Sequence, residues 1–185
     1  MALTLTVEDG TSKTDSNTYI SLADANAYFE GRLNASDWTG ATDANKNAGL
    51  VQAARILDRY IQWLGLKTDE DQAMKWPRWG ICYDSDVYYE CENWWLTTDG
   101  VYSVESNIVL QEIKDAQCEL ALVLLGQDTQ KVPDMAGFKR IDVAGAVEVE
   151  ADKRDRAKEI PSHVWKIVSY LGKRRGGAVM QLMRG

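Results

Sequence analysis

The chain has 185 residues, 45% of them hydrophobic and 26% charged, which is ordinary usage for one folded domain with appendages and excludes a wholly disordered chain. Its net charge of −7 argues against a general nucleic-acid binder, because phosphate affinity comes mainly from clustered lysine and arginine. The longest apolar stretch, residues 120–125, falls far short of the roughly 20 residues that span a bilayer, and residues 1–8 lack the basic start and apolar centre of an export signal.

Residues 1–18 are polar, with Glu8-Asp9-Gly10-Thr11 as a turn signal, and read as an extended N-terminal arm. Leu3, Leu5 and Val7 alternate with threonine there, a pattern for a short strand or for an arm laid on a neighbour. Ser21-Leu22-Ala23-Asp24 is a variant capping box, so a helix is predicted to start there, carry Leu22, Ala25, Tyr28 and Phe29 on one face, and stop at Gly31. A loop containing Asp37-Trp38-Thr39-Gly40 leads to a second cap, Thr42-Asp43. The clearest helix follows, with Leu50, Ala53, Ala54, Leu57, Tyr60, Ile61 and Leu64 on one stripe. Gly65 interrupts it, and residues 69–73 are a candidate for one more helical turn.

Pro77 forbids a helix across Trp76-Pro77-Arg78-Trp79-Gly80 and makes it a rigid crossing. Trp63, Trp76 and Trp79 read as core. Residues 81–105 read as a long loop or irregular hairpin in which Tyr83, Tyr88, Tyr89, Trp94, Trp95 and Tyr102 are interleaved with acids. From Ser106 the recurrence of Ile108, Ile113, Ala116, Leu120, Ala121 and Leu124 predicts another long helix, ending at Gly126. Residues 138–150 alternate in polarity about Ala144-Gly145 and predict a β-hairpin whose edges are open to a neighbour's strand.

Pro161 suits the first turn of a last helix through Val164, Trp165, Ile167, Val168 and Leu171, which Gly172 ends. A C-terminal tail over 172–185 remains: the cations Lys173, Arg174 and Arg175, a glycine pair, then Val179, Met180, Leu182 and Met183 with Arg184. The fold class expected is mainly α: a single domain, a small helical bundle at 19–171 with a β-hairpin and extended N- and C-terminal arms.

No catalytic group can be assembled from these residues. His163 is the one histidine, so triads and metalloprotease motifs that need others are absent. Cys82, Cys91, Cys118 and His163 could number four zinc ligands but lack close CxxC spacing. Asp84, Asp86, Glu90 and Glu92 lack the glycine and terminal glutamate of a calcium loop. Neither a metal nor a cofactor is expected. The cysteines read as reduced thiols, with a Cys82–Cys91 pair open as an alternative because the two flank one loop.

Between residues 84 and 119 acids are frequent and Lys114 is the lone base, whereas the tail is basic without an acid. An acidic body with a basic tail suits self-assembly or docking. Tyr88, Tyr89, Trp94 and Trp95, placed beside acids, suit a protein interface better than a base-stacking groove, which would also need lysine and arginine.

The residues from Asp15 to Tyr28, the helix through Ala53 and Tyr60, and Trp76-Pro77-Arg78 together resemble a family of small tailed-phage proteins, the DnaT-like single-stranded-DNA-binding proteins, some of which act as head-tail adaptors. The resemblance continues through residues 114–125, the hairpin and Ile160-Pro161, and departs at residues 82–102, which are longer and more aromatic. It implies a structural virion protein at the head-tail junction, synthesised in the host cytoplasm. Copies would form a homo-oligomeric ring that joins the portal to the neck, receives a tail or stopper protein, and extends a channel through which DNA passes without specific binding. On that reading Lys173, Arg174, Arg175, Val179, Met180, Leu182, Met183 and Arg184 dock on the portal, and Tyr88, Tyr89, Trp94 and Trp95 contact a neighbouring subunit or tail protein. A replication accessory that binds single-stranded DNA is the alternative.

Overall fold

The structure, a computed structural model, describes residues 3–84, 87–90, 102–126 and 159–175. The hairpin expected at 138–150 lies outside them, as do Trp94, Trp95 and residues 176–185. Mainly helical architecture with short strands is what the described residues adopt.

Helix α1 spans Leu22–Glu30 and begins as its cap predicts: Ser21 Oγ accepts from the Asp24 amide at 3.1 Å and donates to the Asp24 carboxylate at 2.6 Å. A four-residue helix, α2 (Ser36–Thr39), occupies the expected loop. It forms because Trp38 is drawn inward, where its ring stacks on Phe29 at 4.4 Å and its indole N–H donates to Asn26. The long helix α3 covers Asp43–Tyr60, with Thr42 Oγ1 accepting from the Asn45 amide. It buries Leu50, Ala53, Ala54, Ile56 and Leu57, each larger aliphatic side chain contributing roughly 1.5–3 kcal/mol of transfer free energy.

The stripe expected to carry α3 on through Ile61 and Leu64 does not do so. Ile61–Trp63 is strand β1, and β2 follows at Leu66–Lys67. Both patterns put Ile61 inside, so periodicity could not separate them. Residues 69–73 form bends rather than a helical turn. The Gln72 side chain ties that loop instead, donating to the Met74 and Pro77 carbonyls and accepting from the Asp69 amide.

After the cis Trp76–Pro77 peptide, β3 (Arg78–Trp79) pairs antiparallel with β2. Trp63 and Trp76 are core, ring edge to face at 6.0 Å, but Trp79 is 38% exposed, contrary to expectation. The expected aromatic loop contains regular backbone: β4 (Ile81–Asp84) is central to a three-stranded antiparallel sheet, with β5 (Val87–Glu90) and β6 (Tyr102–Ser103) at its edges. Cys82 is disulfide-bonded rather than reduced, while Cys118 is a free buried thiol.

Helix α4 begins at Gln111, later than expected, and runs to Gly126; α5 is Ser162–Val168. α4 packs between α3 and α5, and this three-helix contact forms the centre of the core, to which α1, α2, the strands and the segments between them add the rest. α5 stops short of Leu171, which is fully buried by a turn into the last strand, β7 (Gly172–Arg174).

The N-terminal arm lies on its own chain. Val7 and Thr18 form a parallel bridge, and Asn17 bonds Thr4 and Thr6. The Glu8 carboxylate, 1% exposed, accepts from the amides of Gly10, Ser12 and Lys13 and from the Ser16 hydroxyl. Gly10, at φ 104°, brings this turn so close to Asn107 that a Cβ would sit 1.7 Å from its carbonyl oxygen.

Candidate functional site

The cations expected to open a free tail are built into the body. β7 pairs antiparallel with β1, with Ile61 opposite Arg174, Gln62 opposite Lys173 and Trp63 opposite Gly172. The Leu64 amide donates to the Leu171 carbonyl and the Arg175 amide to that of Tyr60, both at 2.9 Å, so pairing extends beyond each end of the strand. Arg174 lies over the Trp165 ring at 4.7 Å and donates to the Ile160 carbonyl at 3.2 Å. These contacts hold its guanidinium against the α5 side of the body, although Arg174, like Lys173 and Arg175, is exposed. Val179, Met180, Leu182, Met183 and Arg184 lie outside the described residues.

Beside this strand is an open cleft of about 470 Å³ whose rim carries Lys67, Lys75, Arg78 and Arg175 against one acid, Glu70. Two of these cations are occupied by backbone. The Lys67 ammonium donates to the carbonyls of Glu70 and Gln72, and the Arg78 guanidinium to those of Leu64, Gly65 and Lys75. Arg78 therefore holds the turn between β1 and β2 in place.

A second concavity, about 410 Å³, runs along the outer face of α3. Val51 and Ile56, 3% and 2% exposed, form its floor, Leu3 closes one side, and the exposed Arg55 and Arg59 stand over it. The apolar stripe of α3, which marks the buried face, does not point to it. The signal was present: Arg55 and Arg59 are one helical turn apart, on the same face.

Tyr88 and Tyr89 lie on edge strand β5, opposite Tyr83 and Cys82 in the register. Among the described residues β5 has β4 as its one partner.

The buried titratable groups brace the fold. The Tyr19 hydroxyl donates to Asp58 at 2.7 Å, and the Lys75 amide donates to the other carboxylate oxygen at 3.0 Å. Burial raises the Asp58 carboxyl to about 6 and pushes the Tyr19 phenol upward, the Asp58 charge adding to the latter. Burial also drives the Cys118 thiol up, away from the reactive thiolate. Burial alone would raise Glu119 as well, but hydrogen bonds from Arg32 and Tyr28 outweigh it and hold the carboxyl below its usual range. That trio ties α1 to α4. His163 is exposed in the first turn of α5, and no group of three potential metal-ligating side chains occurs among the described residues.

The family described as "Putative DnaT-like ssDNA binding protein" matches residues 3–185. The chain belongs to that family. Comparison with curated proteins and with solved structures returns no match. The DnaT-like match spans both concavities, the aromatic segment and the chain beyond Arg175. No described helix is long and apolar enough to cross a membrane.

Proposed function

We propose that the protein is a head-tail adaptor of a tailed-phage virion: copies form a ring that joins the portal to the neck, extends the DNA channel and receives a tail or stopper protein. The observation that carries this reading is the β1–β7 pairing. It fixes Arg175 on a rigid body, so that the residues after it, Gly176-Gly177 followed by an apolar segment with one arginine, are presented from a defined point. A segment with little charge is poorly suited to solution and well suited to a partner's groove. The net charge of −7 also supports a channel wall that repels phosphate and lets DNA slide.

Removing residues 176–185, and not 173–185, is the informative truncation, because the longer deletion would also take β7 from the body. The shortened chain is expected to keep its cooperative unfolding and lose association with portal rings, measured by light scattering after size exclusion. Undiminished portal association would overturn this assignment.

The family's description favours a second reading, single-stranded DNA binding, for which the cleft rimmed by Lys67, Lys75 and Arg175 is the best described surface. A labelled oligonucleotide tests it: retention at low salt that fades as salt rises supports DNA binding, and no retention at low salt removes it, since attraction is strongest there.

A further inference from the structure

We propose that binding of a single DNA strand in the cleft beside β7 is governed by a proton on Asp58, which stands behind the cleft wall: the ionised carboxylate opposes the strand's phosphates and the neutral carboxyl does not. This rests on the DNA-binding reading and adds to it a control by pH.

The cleft leaves two cations for phosphate. Lys67 and Arg78 are held on backbone carbonyls, whereas the Lys75 and Arg175 side chains, which also line the cleft, make no hydrogen bond among the described residues. Lys75 joins the cleft to Asp58. Its backbone amide donates to the Asp58 carboxylate at 3.0 Å, and its ammonium lies near enough for its charge to be felt there. Burial raises the Asp58 carboxyl to about 6, against hydrogen bonds from Tyr19 and the Lys75 amide and the Lys75 charge, all of which favour the ionised form. A phosphate seated on Lys75 offsets that charge and brings its own, so an occupied cleft favours protonated Asp58. By reciprocity, protonated Asp58 favours an occupied cleft.

Few other groups face Asp58. Tyr19, from the extended entry to α1, donates to it at 2.7 Å, and Lys75 comes from the segment before β3. The Trp63 indole of β1, itself part of the cleft, lies close by without a well-formed hydrogen bond. A neutral carboxyl can keep both bonded neighbours, its hydroxyl donating to the Tyr19 oxygen while its carbonyl accepts from the Lys75 amide. Protonation therefore changes the field in the cleft and leaves its shape. The sign is definite: affinity for phosphate is highest where Asp58 is neutral and falls as pH rises from about 6 toward neutrality.

Anisotropy of a labelled oligothymidylate, whose bases do not titrate in this range, tests the full chain at low salt between pH 5 and pH 8. The parent is expected to bind at least about threefold more tightly at pH 5, because a charge in a partly buried site is screened less than one in open water. Asp58→Asn, neutral throughout, is expected to bind at pH 8 about as the parent does at pH 5 and to lose most of the slope. Lys75→Gln leaves Asp58 in place and removes the linking charge; it is expected to bind more weakly, also with little slope. A parent without a slope, or a slope that survives in both variants, would overturn the proton linkage and leave the DNA-binding reading standing. No binding at low salt at any pH would overturn both.

Discussion

Gln117 offers the most direct test of how this fold is held. It is fully buried on α4, and its amide reaches three ways: Oε1 accepts from the Tyr19 amide at 2.9 Å, and Nε2 donates to Thr18 Oγ1 at 2.7 Å and to the Leu50 carbonyl at 2.9 Å. One side chain thus joins α4, α3 and the extended entry to α1. Gln117→Met keeps the volume and removes every polar group. The losses are unequal: Thr18 Oγ1 still donates to the Ile20 carbonyl, and the Leu50 carbonyl lies within the α3 ladder, so each loses about 1 kcal/mol or less. The Tyr19 amide is left without its acceptor at full burial, which costs about 1–3 kcal/mol. The sum is about 2–4 kcal/mol, a large share of the roughly 5–15 kcal/mol that holds a domain together. Urea unfolding with an unchanged m-value is the assay. A loss under about 1 kcal/mol would refute the view that this amide, rather than apolar packing alone, joins the three segments.

Asp58 sets a pH dependence of definite sign. Its folded pKa of about 6 lies above the 3.8 of the free side chain, so its contribution is fully present below about pH 4 and is lost as pH rises through about 6. Across that window the parent chain should lose up to about 3 kcal/mol relative to Asp58→Asn, because a tenfold difference in proton affinity between folded and unfolded chain is worth about 1.4 kcal/mol; parallel stability curves would contradict this. Glu8→Ala leaves three backbone amides without their acceptor and the Ser16 hydroxyl with only its 3.4 Å bond to the Lys13 carbonyl, a local cost of about 2–4 kcal/mol. Amide exchange at Gly10, Ser12 and Lys13 should then accelerate by at least about tenfold while α3 and α4 stay protected, and unchanged exchange would show that the arm holds by other contacts.

Local chemistry was legible wherever a short stretch of chain carried both partners of an interaction. Ser21 with Asp24 and Thr42 with Asn45 cap their helices as the residue types require, and the apolar spacing of α3 and α4 placed the core on the correct faces. Apolar periodicity likewise pointed to a mainly helical domain, and short motifs in chain order pointed to the DnaT-like family. Events that depend on distant residues were not legible. Ile61 leaves the helical stripe because Arg174, far along the chain, offers it a backbone partner. Lys173 to Arg175 read as a free basic tail for the same reason, since a strand of three residues has no period to detect and exists only once β1 is beside it. Trp38 turns a loop into a helix because Phe29 and Asn26 wait for it, and Glu8, an acid by sequence in a polar arm, is buried because the backbone curls its own amides around it. Spacing along the chain thus determined the longer helices and their inward faces. Tertiary structure alone decided the strands and the anchored C-terminal root, because each depends on a partner that only folding brings within hydrogen-bonding distance.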